Sequence, residues 1–186
     1  MFLLETERVM LRLFNTSDAA FVLQLLNEPG WLRYIGDRSI RELADAIDWI
    51  QTKPLAHQEK MGYSFYIVCL RDTGEAIGIC GLIKREALEH TDIGYAFLDR
   101  WHGQGYAFEA ARAVMQHARA DLHLPALAAI TLAENDASNR LLEKLGFRKN
   151  GVVTLQEGER ENLLWHYDFS TTILPIDQMR FRIKPF

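Results

Sequence analysis

The sequence contains only two cysteines, Cys69 and Cys80, and both lie inside apolar runs. Thiols in such settings are typical of buried, reduced side chains, so a secreted fold stapled by disulfides is not expected. The six histidines are scattered, and no cluster of cysteine and histidine has the spacing of a metal site. The sequence therefore predicts a protein with neither structural disulfides nor a metal cofactor.

The chain also lacks a basic excess and a long apolar run. It carries 21 basic and 25 acidic residues, a net charge of −4, and this balance argues against nucleic-acid binding. Glu5 interrupts the apolar start, so neither a signal peptide nor a membrane span is predicted there. We therefore expect a cytoplasmic protein that binds neither nucleic acid nor membranes.

Hydrophobic periodicity predicts one domain of alternating strands and helices. The predicted order is strand, helix, helix, three strands, helix, strand, helix and two strands. The first helix is expected to begin at Thr16 or Ser17 and to end at Pro29–Gly30. A loop is predicted over 31–39, and the second helix is expected to take Ser39 as its cap. This order predicts an α/β fold, with about four helices on both faces of a mixed sheet of about seven strands.

One stretch at a predicted strand-to-helix junction is rich in glycine. It reads DRWHGQGYAFEA over residues 99–110 and contains Gly103 and Gly105. The first N–H groups of a helix have no internal acceptor, and the helix dipole adds positive charge there. Because glycine has no Cβ to block an approaching anion, the stretch predicts a diphosphate site. A tight strand-to-helix turn without a ligand is the alternative.

Two common phosphate-binding motifs are excluded at this stretch. It has no Gly-Lys-Ser/Thr ending, which a P-loop requires. Phe108 stands where a dinucleotide-binding fingerprint needs its third glycine.

A second stretch, ENDASNRLLEKLGF over 134–147, follows one more predicted strand. Together the two stretches resemble the GNAT superfamily of acetyl-CoA-dependent N-acetyltransferases. The phosphate loop of that superfamily reads Gln/Arg-x-x-Gly-x-Gly/Ala, and the matching residues here are His102, Gly103, Gln104, Gly105, Tyr106 and Ala107. His102 departs from the pattern, but the phosphate contact is expected to be mainly through backbone N–H groups. The later helix of that superfamily reads Asn-x-x-Ser/Ala with a glycine-phenylalanine exit, which corresponds to Asn135, Ser138, Gly146 and Phe147.

Two further segments are similar to the branch that acetylates the N-terminal alanine of ribosomal proteins. They are LETERVMLRLFNTSDA over 4–19 and DIGYAFLDRWHGQGYAFEA over 92–110. The resemblance covers residues 5–170, which we expect to form a GNAT domain with a mostly antiparallel sheet. Residues 171–186 are left as a tail without an assigned role.

The resemblance implies that an acetyl group passes directly from acetyl-CoA to an amine. Backbone N–H groups of the strand before the loop are expected to bind the thioester carbonyl or the pantetheine arm, and they belong to Ala96, Phe97 and Leu98. Loop residues 102–107 are expected to bind the diphosphate, and Asn135 the pantetheine arm. Ser138 is expected to hydrogen-bond the leaving sulfur, since Leu142 occupies the position of the tyrosine acid found in many relatives.

The base and the acceptor are less sharply defined by the sequence. Glu157, in the polar loop after the sixth predicted strand, and Asp92 are the two candidates for the base. The resemblance favours a peptide or protein N-terminal α-amine as acceptor, with Trp31, Tyr34 and Ile35 lining its pocket or simply packing against the first helices. A small amine acceptor and a non-catalytic acyl-CoA-binding protein stay as alternatives, and both a monomer and a homodimer fit.

Overall fold

One eight-stranded sheet runs through the protein. The computed structural model describes residues 2–156 and 160–171 of the 186. The strands are β1 (Phe2–Glu5), β2 (Val9–Arg12), β3 (Phe65–Leu70), β4 (Ala76–Ile83), β5 (Thr91–Phe97), β6 (Ala126–Thr131), β7 (Arg148–Val153) and β8 (Asn162–Asp168). Their order across the sheet is β1-β2-β3-β4-β5-β6-β8-β7, and among these pairs only β5 and β6 run parallel. The predicted α/β class and its mostly antiparallel sheet are therefore confirmed.

Helices cover both faces of the sheet. They are α1 (Ala19–Leu26), α2 (Pro29–Tyr34), α3 (Leu43–Ile50), α4 (Ala56–Met61), α5 (Tyr106–Ala120) and α6 (Asp136–Lys144). The apolar sides of α5 and α6 form one buried cluster with one face of the sheet, and those of α1, α2 and α3 form a second cluster on the other face. Within the described ranges no helix is both long enough and apolar enough to span a bilayer.

Three predicted boundaries near the N-terminus are wrong. Asn15 caps the first helical turn, one residue before the predicted start. Pro29 begins α2 instead of ending α1, because the first turn of a helix does not need the N–H that proline lacks. Residues 31–34, predicted as loop, are therefore helical. Ser39 does not cap the next helix: Glu42 does, and its capping box with Asp45 fixes the start of α3.

The element counts also exceed the prediction. β1 is an additional strand that pairs antiparallel with β2. The helical path that begins with α3 continues through a π-helical turn at Gln51–Leu55 into α4, and this wider turn accommodates Pro54. The segment 172–186, whose role the sequence left open, lies outside the described residues.

Two glycines in β4 allow its neighbours to approach closely. A Cβ on Gly81 would stand 2.2 Å from the Ser64 carbonyl oxygen and 2.5 Å from the Phe65 Cα on β3. A Cβ on Gly78 would stand 2.4 Å from the Phe97 ring at the end of β5. Side chains at these positions would push β3 and β5 away from β4, so the glycines set the spacing of the central strands.

We therefore expect Gly81→Ala to destabilise the fold. The atoms it would meet belong to the backbone and cannot rotate away, so the overpacking should cost about 1–3 kcal/mol, or roughly 3–10 °C in Tm. Gly30→Ala is the matched control, because its Cβ would make an ordinary 3.4 Å contact with Asp99. Thermal unfolding followed by circular dichroism measures both variants, and an unchanged Tm for Gly81→Ala would contradict the close packing.

Candidate cofactor and acceptor site

β5 leaves β6 soon after the two strands meet. The parallel pairing joins Thr91 to Leu127 and Asp92 to Ala128, and then it stops. On its other side β5 stays paired with β4 as far as Phe97. The edge of β5 that faces β6 is therefore open beyond Asp92, and an extended ligand can add hydrogen bonds there as a new strand does.

The alternation of the ladder identifies the backbone groups that face this gap. The Leu98 N–H donates to the Ile77 carbonyl at 3.0 Å, so Leu98 faces β4. Because antiparallel pairs alternate, Ala96 also directs its N–H to β4, whereas Phe97 and Tyr95 direct theirs to the gap. The prediction that Leu98 and Ala96 present free donors is wrong, and Tyr95 was missed. The two-residue period of a strand separates Ala96 and Leu98 from Tyr95 and Phe97 in the sequence, and the bond from Leu98 to β4 decides which pair faces the gap.

The glycine loop continues from the end of β5 into α5. Gly103 and Gly105 have φ values of +74° and +84°, in the left-handed region that favours glycine. The first backbone bond into the helix runs from the Glu109 N–H to the Gly105 carbonyl at 3.1 Å. The N–H groups of Tyr106, Ala107 and Phe108 thus lack an acceptor inside the helix, and no described side chain caps this end. The loop has the features of an anion site.

The side chain of His102 forms a hydrogen bond to the protein backbone. Its Nε2 lies 2.9 Å from the Phe97 carbonyl oxygen, and since a carbonyl only accepts, Nε2 carries the proton. This bond holds the last residue of β5 against the loop. The Gln104 side chain likewise donates to the Arg100 carbonyl at 3.0 Å.

The start of α6 forms the opposite wall of the gap. The Asn135 side-chain oxygen accepts from the Ser138 N–H at 3.2 Å, so Asn135 is the cap of α6. The Tyr95 hydroxyl donates to the Ser138 carbonyl at 3.3 Å and ties α6 to β5. The structure thus brings Ser138 into contact with the Tyr95 side chain, and Asn135 lies one helical turn before it.

A series of buried hydrogen bonds anchors α6. The sequence did not reveal it. Trp165 Nε1 donates to the Thr131 hydroxyl at 2.8 Å, and that hydroxyl donates to the Asn139 side chain at 2.6 Å. Asn139 in turn donates to the Ala133 carbonyl at 3.0 Å. Because buried polar groups are costly when unpaired, this series of hydrogen bonds fixes α6 relative to β6 and β8.

Asp92 lies where β5 and β6 separate. Its carboxylate is 2% exposed, and Oδ2 accepts from Arg85 Nε at 2.6 Å, while Oδ1 has no partner among the described residues. Burial raises the pKa of Asp92 to about 6, against the opposing charge and hydrogen bond of Arg85. Asp92 thus combines a free oxygen with a pKa near neutrality. The other predicted base, Glu157, lies outside the described residues.

The three residues predicted to bind the acceptor differ in their exposure to solvent. Trp31 is 7% exposed and packs in the cluster formed by α1–α3, whereas Ile35 is 40% exposed and Tyr34 half-buried. Trp31 therefore follows the packing alternative. Both terminal nitrogens of Arg160 lie 3.2 Å from the Arg33 carbonyl, so α2 contacts the segment before β8. α2 and its C-cap carry the three residues that the sequence assigned to the acceptor.

The described ranges contain no group of three or more His, Cys, Asp or Glu residues arranged to hold a metal ion. A splayed strand edge that leads to an uncapped helix start instead fits a long ligand with an amide-bearing arm and a phosphate group. Pantetheine and the diphosphate of coenzyme A have that form.

Comparison with known proteins agrees with this geometry. Residues 8–148 match the family described as "Acetyltransferase (GNAT) domain". An uncharacterized N-acetyltransferase of Bacillus subtilis, YoaA, is 34% identical over 81% of this chain and 85% of its own length. The Escherichia coli [ribosomal protein uS5]-alanine N-acetyltransferase is 30% identical over half of each chain. The structure of RimL, a ribosomal L7/L12 α-N-protein acetyltransferase, in complex with coenzyme A superimposes with a TM-score of 0.75 over 90% of this chain and 97% of that one, at 19% identity.

The family match spans the strand edge, the glycine loop and the start of α6 described above. The chain belongs to the GNAT acetyltransferase family.

Proposed function

We propose that this acetyl-CoA-dependent N-acetyltransferase transfers the acetyl group directly to the α-amine of a peptide or protein N-terminus, with both substrates bound at once. The observation that carries the proposal is the open edge of β5, which begins beside Asp92 and ends at the glycine loop. The E. coli relative acts on an alanine of a ribosomal protein, as its name states, and this supports a protein acceptor.

In this proposal the open edge positions the thioester. The N–H groups of Tyr95 and Phe97 pair with the pantetheine arm or with the carbonyl oxygen as it gains charge. The N–H groups at the start of α5 hold the diphosphate. Coenzyme A supplies a thiol leaving group, whose ordinary pKa of about 8.5 lets it depart with little help. Ser138 donates a hydrogen bond to that sulfur.

The acceptor amine must be neutral to attack. An α-amine with a pKa near 7.8 is about one-sixth neutral at pH 7, at a cost of about 1 kcal/mol. A lysine near 10.4 costs about 4–5 kcal/mol. A base with a pKa near 6 suits the first acceptor far better than the second. Asp92 lies at the last pair that joins β5 to β6, has an unpaired carboxylate oxygen and is a described residue that meets this requirement.

A panel of acceptors tests the proposal directly. At pH 7 a short peptide with a free N-terminal alanine should exceed the same peptide with a blocked N-terminus and one lysine by about 100-fold in kcat/KM, because far more of its amine is neutral. Thiol release from acetyl-CoA measures both, with spermidine as a third acceptor. Preference for spermidine would indicate a small-amine enzyme, and CoA binding without turnover on any acceptor would indicate a non-catalytic binding protein.

If the glycine loop binds the diphosphate, Gly105→Glu should weaken CoA binding. The variant puts a side chain at a φ of +84° and a negative charge beside the diphosphate, so Kd should rise at least about 10-fold. Gly151→Glu is the matched control: it has the same charge change and a φ of +112°, but it lies on β7. Isothermal titration calorimetry with CoA gives both constants, and unaltered binding by Gly105→Glu would show that the diphosphate lies elsewhere.

The base assignment predicts a change in pH dependence. Below pH 6 both the acceptor amine and Asp92 are protonated, so log kcat/KM should fall with a slope of about 2 per pH unit. In Asp92→Asn only the amine titrates, so the slope should be about 1, with a lower rate at pH 7. An initial-rate profile from pH 5 to 8 separates the two cases. Identical profiles for both proteins would exclude Asp92 as the base.

A further inference from the structure

Arg8 reaches from the turn between β1 and β2 to the start of α5. Its backbone N–H and its Nε donate to the two carboxylate oxygens of Glu109, at 2.8 and 2.7 Å. The Thr6 hydroxyl donates to the same carboxylate at 2.5 Å. Arg8 Nη1 donates to the Gln104 carbonyl inside the glycine loop at 3.0 Å. The N-terminal segment therefore holds both the loop and the first turn of the helix that follows it.

Glu109 creates an electrostatic problem at this place. It lies in the first turn of α5 and is 9% exposed, close to the N–H groups that face the anion site. Burial raises the pKa of Glu109, but the hydrogen bonds from Thr6 and Arg8 outweigh burial and lower it overall, so the carboxylate is ionised at neutral pH. An uncompensated carboxylate here would repel a diphosphate. The guanidinium of Arg8 supplies the compensating charge.

The remaining amino group of Arg8 lies beside the loop. Nη2 stands 3.3 Å from the position that a Cβ on Gly105 would occupy, and it has no hydrogen-bond acceptor among the described residues. The guanidinium carbon lies 4.7 Å from the centre of the Tyr106 ring, the bonds to Glu109 and Gln104 orient the group, and the side chain is 44% exposed. A charged, oriented donor is thus accessible at the edge of the loop.

We propose that Arg8 is a side-chain ligand for the diphosphate of coenzyme A, alongside the backbone N–H groups at the start of α5. The inference rests on the proposed cofactor site. Nη2 donates to a phosphate oxygen, while Nε and Nη1 keep their bonds to Glu109 and Gln104. The arginine therefore serves both the loop and the ligand, which a point-charge lysine with one nitrogen cannot do equally well.

The test compares ligands that differ in their phosphates. Kd for CoA, for dephospho-CoA and for pantetheine is measured by calorimetry, and kcat/KM with acetyl-CoA and with S-acetylpantetheine, for the wild type and Arg8→Met. Loss of a charge-assisted hydrogen bond should weaken CoA and dephospho-CoA binding about 10- to 100-fold. Pantetheine affinity and kcat/KM with S-acetylpantetheine should be unchanged, because those ligands lack the diphosphate. Arg8→Lys should recover part of the CoA affinity.

Two variants separate ligand binding from support of the fold. Arg119→Met removes one positive charge at the far end of α5 and should leave Kd for CoA unchanged. Thr6→Val breaks a bond to Glu109 but retains Arg8, so it should lower Tm while changing Kd for CoA less than twofold.

The outcomes distinguish this inference from the proposed cofactor site. If the wild type binds CoA and Arg8→Met binds it equally well, Arg8 is not a ligand and the cofactor site stands. If Arg8→Met loses activity equally with acetyl-CoA and S-acetylpantetheine, Arg8 only supports the fold and the inference fails. If the wild type itself does not bind CoA, the cofactor site fails first.

Discussion

The early end of the β5–β6 pairing is the constraint on which the site depends. Each backbone group exposed by the separation gives up a ladder hydrogen bond, and the fold offsets this loss on both sides of the gap. On one side β5 keeps its full register with β4, and His102 covers the Phe97 carbonyl at its end. On the other side the series of hydrogen bonds from Trp165 through Thr131 to Asn139 anchors the start of α6.

A second constraint acts on the glycine loop. Two left-handed glycines give the loop its turn, but glycine also leaves a chain free to adopt other conformations. Rigidity comes from outside the loop, since Arg8 donates to Gln104 and Glu109, which lie about one hundred residues away in sequence. The two glycines thus allow the loop to turn, and the ion pair between Arg8 and Glu109 holds the loop in that conformation. An anion site built from backbone amides needs both, because its donors cannot adjust as side chains do.

The sequence predicted the features that depend on local chemistry. Gly103 and Gly105 revealed the loop, because left-handed turns favour glycine. The sequence also showed that the N–H groups of β5 alternate between its two edges. It did not show which set faces the gap, because that depends on the hydrogen bond from Leu98 to β4. The ion pair between Arg8 and Glu109 could not be predicted from local sequence patterns. It forms because β1 and β2 pack next to α5, and hydrophobic periodicity does not show which elements pack together. Pro29 was misread because the same residue that ends one helix can begin another.

Asp92 connects the separation of β5 from β6 with the proposed proton transfer. A carboxylate buried beside a guanidinium is normally held ionised, yet here burial outweighs Arg85 and the pKa rises. The cause is burial of the whole carboxylate: Oδ2 accepts from Arg85, while Oδ1 is buried without a partner among the described residues. Asp92 belongs to the last pair that joins β5 to β6, so the opening between the two strands begins beside it. In the proposed mechanism the incoming amine donates to the unpaired Oδ1. In the proposed mechanism the break in the sheet that exposes the N–H groups for the acyl donor thus begins beside the base for the acceptor, and the two substrates meet where β5 leaves β6.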